Sequence, residues 1–173
     1  VLMTFVRHRD AMVREVAVDV LLQIGGNAAF EVLMPDLMAE TDRNILQIAA
    51  RRAIDCAPTV PLIGFLNKCA QSEDEDISIA GLEAMAALAA DSHRSRSSGN
   101  SKPASTKEAL TTEAVTKLLQ SPHWRVRAAT LGFLSKPAAF VPSLSNEQLQ
   151  QVVVGCLKDQ DETVRQTAIT VIY

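Results

Sequence analysis

Apolar and small residues recur in steps of three and four along five stretches of the chain, each preceded at a fixed distance by an acidic or polar residue. Three of them read Asp10-x-x-Val13-x-x-x-Ala17, Asp42-x-x-Ile45-x-x-x-Ala49 and Asp161-x-x-Val164-x-x-x-Ala168, and weaker copies start at Asp74 and His123. Such steps place side chains on one face of an α-helix. The starts lie 32, 32, 49 and 38 residues apart, so a unit of about thirty-odd residues recurs, as in repeat architectures.

Aligned on the acidic position, the apolar columns hold Val13, Val16, Ala17 and Val20 in the first unit and Ile45, Ile48, Ala49 and Ala53 in the second. Ile77, Ala80, Gly81 and Ala84 follow, then Val126, Ala129, Thr130 and Phe133, then Val164, Thr167, Ala168 and Val171. Arg52 is the one charged intruder. Each such helix is preceded by a second amphipathic stretch, over residues 28–40, 59–71, 107–120 and 146–158. Thr59 ahead of Pro61 suits a helix entry, and Ser105-x-x-Glu108 and Ser145-x-x-Gln148 have the spacing of a capping box. Asp10, Asp42 and Asp161 stand where a carboxylate accepts free N–H groups and meets the positive end of a helix dipole.

The pattern predicts an all-α chain, an α-solenoid of stacked antiparallel helix pairs over residues 1–173, with units at roughly 1–26, 27–56, 57–90, 105–139 and 140–173. Val1 to Val6 read as the end of a helix that starts earlier, so the chain is expected to be a piece of a longer array. Small residues at Ala17, Ala49, Gly81 and Ala168 mark where helices cross most closely. Ala49→Leu or Ala168→Leu is expected to destabilise the fold by about 1–3 kcal/mol through overpacking, read as a lower melting temperature.

The 49-residue step is broken by a Ser-rich polar run with no large apolar residue, over 91–104. It cannot bury enough surface to offset its ordering entropy and is expected to be a flexible loop. Within it Arg94-Ser95-Arg96-Ser97-Ser98 sets basic residues beside hydroxyls, making Ser95, Ser97 and Ser98 candidate phosphorylation sites.

Composition narrows the chemistry. With 47% hydrophobic, 21% charged and only 4% aromatic residues, the chain can form a core of closely stacked helices. A net charge of −3 gives no global attraction to phosphate. Cys56, Cys69 and Cys156 form no C-x-x-C and are expected to be buried thiols. The histidines, His8, His93 and His123, form no H-E-x-x-H, and no glycine-rich phosphate loop or nucleophile elbow is present. Glu73 to Asp76 reads as a solvated acidic cluster ahead of a helix. No metal, cofactor or catalytic residue is expected. With no signal peptide, N-x-Ser/Thr acceptor or membrane-length apolar run, an intracellular protein, cytoplasmic or nuclear, is expected.

Arg14 and Arg165, four residues after Asp10 and Asp161, complete a D-x-x-V-R-x-x-A pattern that resembles the HEAT repeat. The resemblance implies that Asp10, Arg14, Asp161 and Arg165 form a structural ladder between units. Leu46 and Ser78 replace the Arg in units two and three, and His123 replaces the Asp in unit four. The same resemblance implies a concave binding side lined by second helices. Its columns hold Glu15, Gln47, Ile79, Ala128 and Gln166, then Asp19, Arg51, Glu83, Gly132 and Thr170.

These columns are polar and mildly acidic, without a basic row for nucleic acid. The expected function is a non-catalytic scaffold or adaptor that binds proteins, with Glu15, Asp19, Gln47, Arg51 and Glu83 as candidate contacts. Trp124 with Arg125 and Arg127 is a second candidate, since Trp and Arg are enriched at binding hot spots. Trp124-x-x-Arg127 also resembles the turn of tubulin-binding TOG domains. A tubulin-binding array and a nucleic-acid-associated HEAT protein are the alternatives.

Overall fold

The computed structural model describes residues 2–95, 110–136 and 147–172, and no strand is present among them. The helices are α1 (Leu2–Val6), α2 (Ala11–Ala39), α3 (Arg43–Arg52), α4 (Val60–Ala70), α5 (Glu75–Ser95), α6 (Thr112–Leu119), α7 (Trp124–Leu134), α8 (Glu147–Gly155) and α9 (Glu162–Ile172). Short 3-10 turns, Ala53–Asp55 and Cys156–Lys158, extend α3 and α8. The chain divides into two compact units, Val1–Ala84 and Met85–Tyr173.

In the first unit, α2 packs against α1, α3 and α4. It is two helices in one, broken at Gly26, whose φ of 49° and ψ of −129° turn the backbone between residues 11–25 and 27–39. Only glycine enters that region cheaply. Gly26→Ala is expected to cost about 1–3 kcal/mol, seen as a lower melting temperature. The break also leaves neither arm near the roughly 20 residues of a membrane span, although α2 as a whole is apolar.

The buried face of this unit carries Val18, Leu22, Phe30, Leu33, Leu37, Ile45, Ala49, Phe65 and Leu66. Phe30 and Phe65 meet with ring centroids 6.4 Å apart. Asn27 clamps the turn ahead of α4, its Oδ1 accepting the Ala57 N–H at 2.9 Å. Lys68 on α4 donates to the carbonyls of Leu37, Met38 and Glu40, neutralising the exposed C-terminal end of α2.

In the second unit α7 packs on α9, and α6 packs on both α7 and α8. Val115, Leu119, Val126, Leu131, Phe133, Leu149, Val153, Val164 and Ala168 are buried. The small columns Ala17, Ala49 and Ala168 are buried as the periodicity predicts.

Several expectations are corrected. Val16 was placed in an apolar column but is exposed, and Ile79 was placed on an outward column but is buried. The helix expected over 107–120 begins at Thr112, with Thr111 accepting the Ala114 N–H at 3.1 Å as its cap. Leu110 and Thr111 are non-helical, while Ser105 lies outside the described residues. Helix α5 runs on to Ser95, so residues 91–95 are helical rather than loop. The rest of the expected 91–104 loop, with Ser97 and Ser98, lies outside the described residues, as does Ser145. Cys56, Cys69 and Cys156 are free and buried, and burial pushes the Cys69 thiol up to about 12.

Candidate partner-binding surfaces

The turns that lead into α2, α3, α5, α7 and α9 share one local design. The residue two places ahead of each capping position accepts that position's backbone N–H. His8 Nδ1 accepts from Asp10 at 3.1 Å, Glu40 from Asp42 at 2.9 Å and Ser72 from Asp74 at 3.2 Å. Ser121 accepts from His123 at 3.3 Å and Asp159 from Asp161 at 2.9 Å. Four aspartates then cap their helices: Asp10 accepts from Met12, Asp42 from Asn44 and Ile45, Asp74 from Asp76 and Ile77, and Asp161 from Thr163 and Val164. His123 caps no N–H with its side chain.

Two of these turns are joined to the preceding layer by a charged fork. Arg14 donates from Nε and Nη2 to the two oxygens of Glu40, at 3.0 and 3.2 Å, while its Nη1 is pinned by the carbonyls of His8 and Arg9. Arg127 repeats the arrangement, with both bonds to Asp159 at 2.7 Å and Nη1 held by the carbonyls of Ser121 and Pro122. Bidentate guanidinium–carboxylate pairs of this kind are among the stronger hydrogen bonds in proteins.

The Arg127 hydrogen bond holds the Asp159 carboxyl below its ordinary value, outweighing the contrary effect of burial. Burial pushes Glu40 up, but the bonds from Arg14 and from the N–H groups of Asp42 and Thr41 together hold it down. The ladder therefore runs through Glu40 and Asp159, whereas Asp10 and Asp161 act as helix caps. Arg165 makes the same carbonyl contacts, from Nη1 to Asp159 at 2.8 Å and Gln160 at 3.0 Å.

The second and third layers are joined differently. Leu46 replaces the fork arginine, and Arg43 instead pairs with Asp74 at 3.5 Å and with Asp76. The intruder Arg52 reaches Asp19 at 2.7 Å, so Asp19 is engaged inside the unit rather than offered to a partner. Glu15 and Gln47 are half-buried, and Arg51 and Glu83 are exposed.

At the head of α7, Trp124 is 43% exposed and Arg125 is exposed. Arg127 faces the other way, in its pair with Asp159. The W-x-x-R turn thus presents Trp124 outward and commits its Arg to the structure.

An apolar exposure lies on α1 and the first arm of α2. Leu2, Phe5, Met12, Val13, Val16, Ala17 and Val20 line a groove of about 380 Å³. Met12 is 75% and Val16 63% exposed. In the second and third layers the column equivalent to Val13 holds Ile45 and Ile77, both buried.

No family model and no curated protein matches the sequence. Solved structures do. An engineered protein aligns over 99% of this chain and 76% of its own length, with a TM-score of 0.64 at 18% identity. A designed armadillo repeat protein in complex with a (KR)4 peptide aligns over 99% of this chain and 79% of its own, with a TM-score of 0.58 at 15% identity. The complex of CpcE and CpcF of phycocyanin lyase from Nostoc sp. PCC7120 aligns over 99% and 95%, with a TM-score of 0.56 at 17% identity. The fold is a HEAT/armadillo-like helical repeat.

Within this helical-repeat fold, sequence reasoning missed both fork carboxylates. A usable signal was present: Glu40-x-Asp42 and Asp159-x-Asp161 are acidic pairs at the same spacing, each in the turn after a layer that carries an Arg. The groove residues Leu2 and Phe5 were missed because α1 is too short to show a helical period, and Met12 because it falls outside the repeat's apolar columns.

Proposed function

We propose that this protein is a non-catalytic helical-repeat adaptor that holds another protein, seating an amphipathic helix of the partner in the α1–α2 groove. The groove carries this reading: its lining is apolar throughout, Met12 and Val16 are exposed, and Val13, half-buried here, belongs to a column that the other layers bury. Large exposed apolar patches mark interaction sites in soluble proteins. Helix-in-groove recognition reads apolar anchors at steps of three and four, as layers of this fold read one another. The neighbours support it, one being a repeat protein that holds a peptide and another a complex of two chains.

A photo-crosslinking residue at position 12 of the full chain tests the reading in cells that make the protein. Discrete protein adducts are expected, mapping to a helical segment of the partner and lost on Val16→Asp with the melting temperature unchanged. Adducts indifferent to Val16→Asp, or none beyond those from a control position at Gln71, would contradict it.

A further inference from the structure

A single residue makes the bend in α2. Inside Ala11–Ala39 only Gly26 has non-helical dihedrals, so giving it helical ones would join the two arms into one helix with no loop left over. Both glycines at the bend are needed by the bend alone. At Gly26 the positive φ strains any residue with a Cβ, although no neighbour crowds the position. At Gly25 a Cβ would stand 2.8 Å from the Ala29 Cβ. In an unbroken helix, Cβ atoms four residues apart are separated by about 5–6 Å, so straightening removes that clash. Gln23, Ile24, Gly25 and Ala28 are exposed, Ile24 at 78%, and the outside of the bend is therefore free to open.

The segments before and after Gly26 hold each other through three ion pairs. Arg7 meets Asp36 at 2.7 Å, Arg14 meets Glu40 at 3.0 Å and Asp19 meets Arg52 at 2.7 Å. Val18 and Leu22 on the first arm are buried. Asn27, one residue past the hinge, is tied to Ala57, which keeps the second arm with its own body. A single straightened copy would lose the three pairs and bare the apolar face of the first arm. Two straightened copies restore everything, because each supplies the partners that the other has lost.

We propose that Gly26 is a one-residue hinge through which two copies of this chain exchange α1 and the first arm of α2, each copy then carrying an unbroken α2. The packing contacts are the same in the bent single copy and in the exchanged pair, so the hinge and the protein concentration set the balance. Glycine favours the bent copy, since it takes up the positive φ at no steric cost and weakens a helix interior. Alanine reverses both preferences, and its penalty at position 26 falls on the bent copy alone. The exchanged segment carries the apolar groove with it, so the inference does not rest on what the groove binds.

Sedimentation velocity of the full chain from micromolar to millimolar concentration tests the proposal. Gly26→Ala is expected to tighten dimerisation by at least about a hundredfold over the native chain, since two hinges respond in each dimer. Adding Val16→Asp is expected to leave that dimer intact, whereas a dimer made through the groove would dissociate. Inserting Gly-Ser-Gly-Ser after residue 26 lengthens the hinge and is expected to restore the monomer. Exchange itself is read by mixing two Gly26→Ala chains, one with Asp19→Arg and the other with Arg52→Asp. Opposite charges then meet only between unlike chains, so mixed dimers are expected well beyond the random proportion in native mass spectrometry. Should Gly26→Ala fail to fold, Gly25→Ala, which acts through the Ala29 contact, carries the same expectations. A variant that stays monomeric at millimolar concentration, a dimer that survives the lengthened hinge, or random mixing would overturn the proposal.

Discussion

Arg127→Met is expected to destabilise the second unit by about 3 kcal/mol, at the lower end of what breaking a buried ion pair costs. Only 13% of the Arg127 side chain and 11% of Asp159 are exposed, so the variant takes the paired guanidinium away from a carboxylate shielded from water. The carbonyls of Ser121 and Pro122 lose a donor as well. For a chain of this size about 3 kcal/mol corresponds to a fall of roughly 6–12 °C in melting temperature.

The effect depends on pH in a defined direction. Asp159 is held below its ordinary value of 3.8 in the folded protein. A depressed carboxylate contributes stability that is present above its unfolded pKa and lost as pH falls through the folded one. The gap between native protein and Arg127→Met is therefore full at neutral pH and narrows below about pH 4, where the unpaired Asp159 takes up a proton. Urea midpoints at pH 7 and pH 3 measure it, and an equal gap at both would be inconsistent with the fork.

Gly81 is the second position of large effect. A Cβ built there would lie 2.6 Å from the Ala70 nitrogen and 2.9 Å from the Cys69 Cβ. The approach of α5 to α4 is also marked by the Ser78 hydroxyl, which donates to the Ala70 carbonyl at 2.7 Å. Backbone cannot move aside as a flexible side chain can, so overpacking outweighs the gain of about 1 kcal/mol that alanine brings to a helix. Gly81→Ala is expected to lose about 1 kcal/mol net and Gly81→Leu about 3 kcal/mol. Gly132 on α7 is the control, since nothing stands within 4 Å of its Cβ position. Gly132→Ala is expected to raise stability by up to about 1 kcal/mol. Denaturant melts of the three variants decide between crowding and simple helix propensity.

The helices were legible where burial repeats at helical spacing and the cap is an aspartate, as at Asp42-Ile45-Ala49 and Asp161-Val164-Ala168. Gly81 was legible as a close crossing for the same reason, because a column of small residues reports contact with backbone. Elements governed by a single local event were not. Helix α6 starts at Thr112 because Thr111 holds its capping hydroxyl, and composition cannot rank two threonine- and serine-rich turns. The end of α5 outran its apolar period because a polar last turn costs a helix little.

At the candidate sites, exposure was the hidden quantity. Val16 sits in register with Ile48, Ala80 and Ala129, which are half-buried or buried, yet the structure leaves it open. Arg127 carries the charge and spacing of a surface contact, yet it turns inward. Its partner Asp159 lies 32 residues away in sequence, and such pairing becomes visible only when the layer itself is built.

A double-mutant cycle on Arg127→Met and Asp159→Leu tests most directly whether a fork joins successive layers of the repeat. A coupling energy of about 2 kcal/mol at pH 7 is the expected result. Losses that simply add, to within about 0.5 kcal/mol, would contradict it.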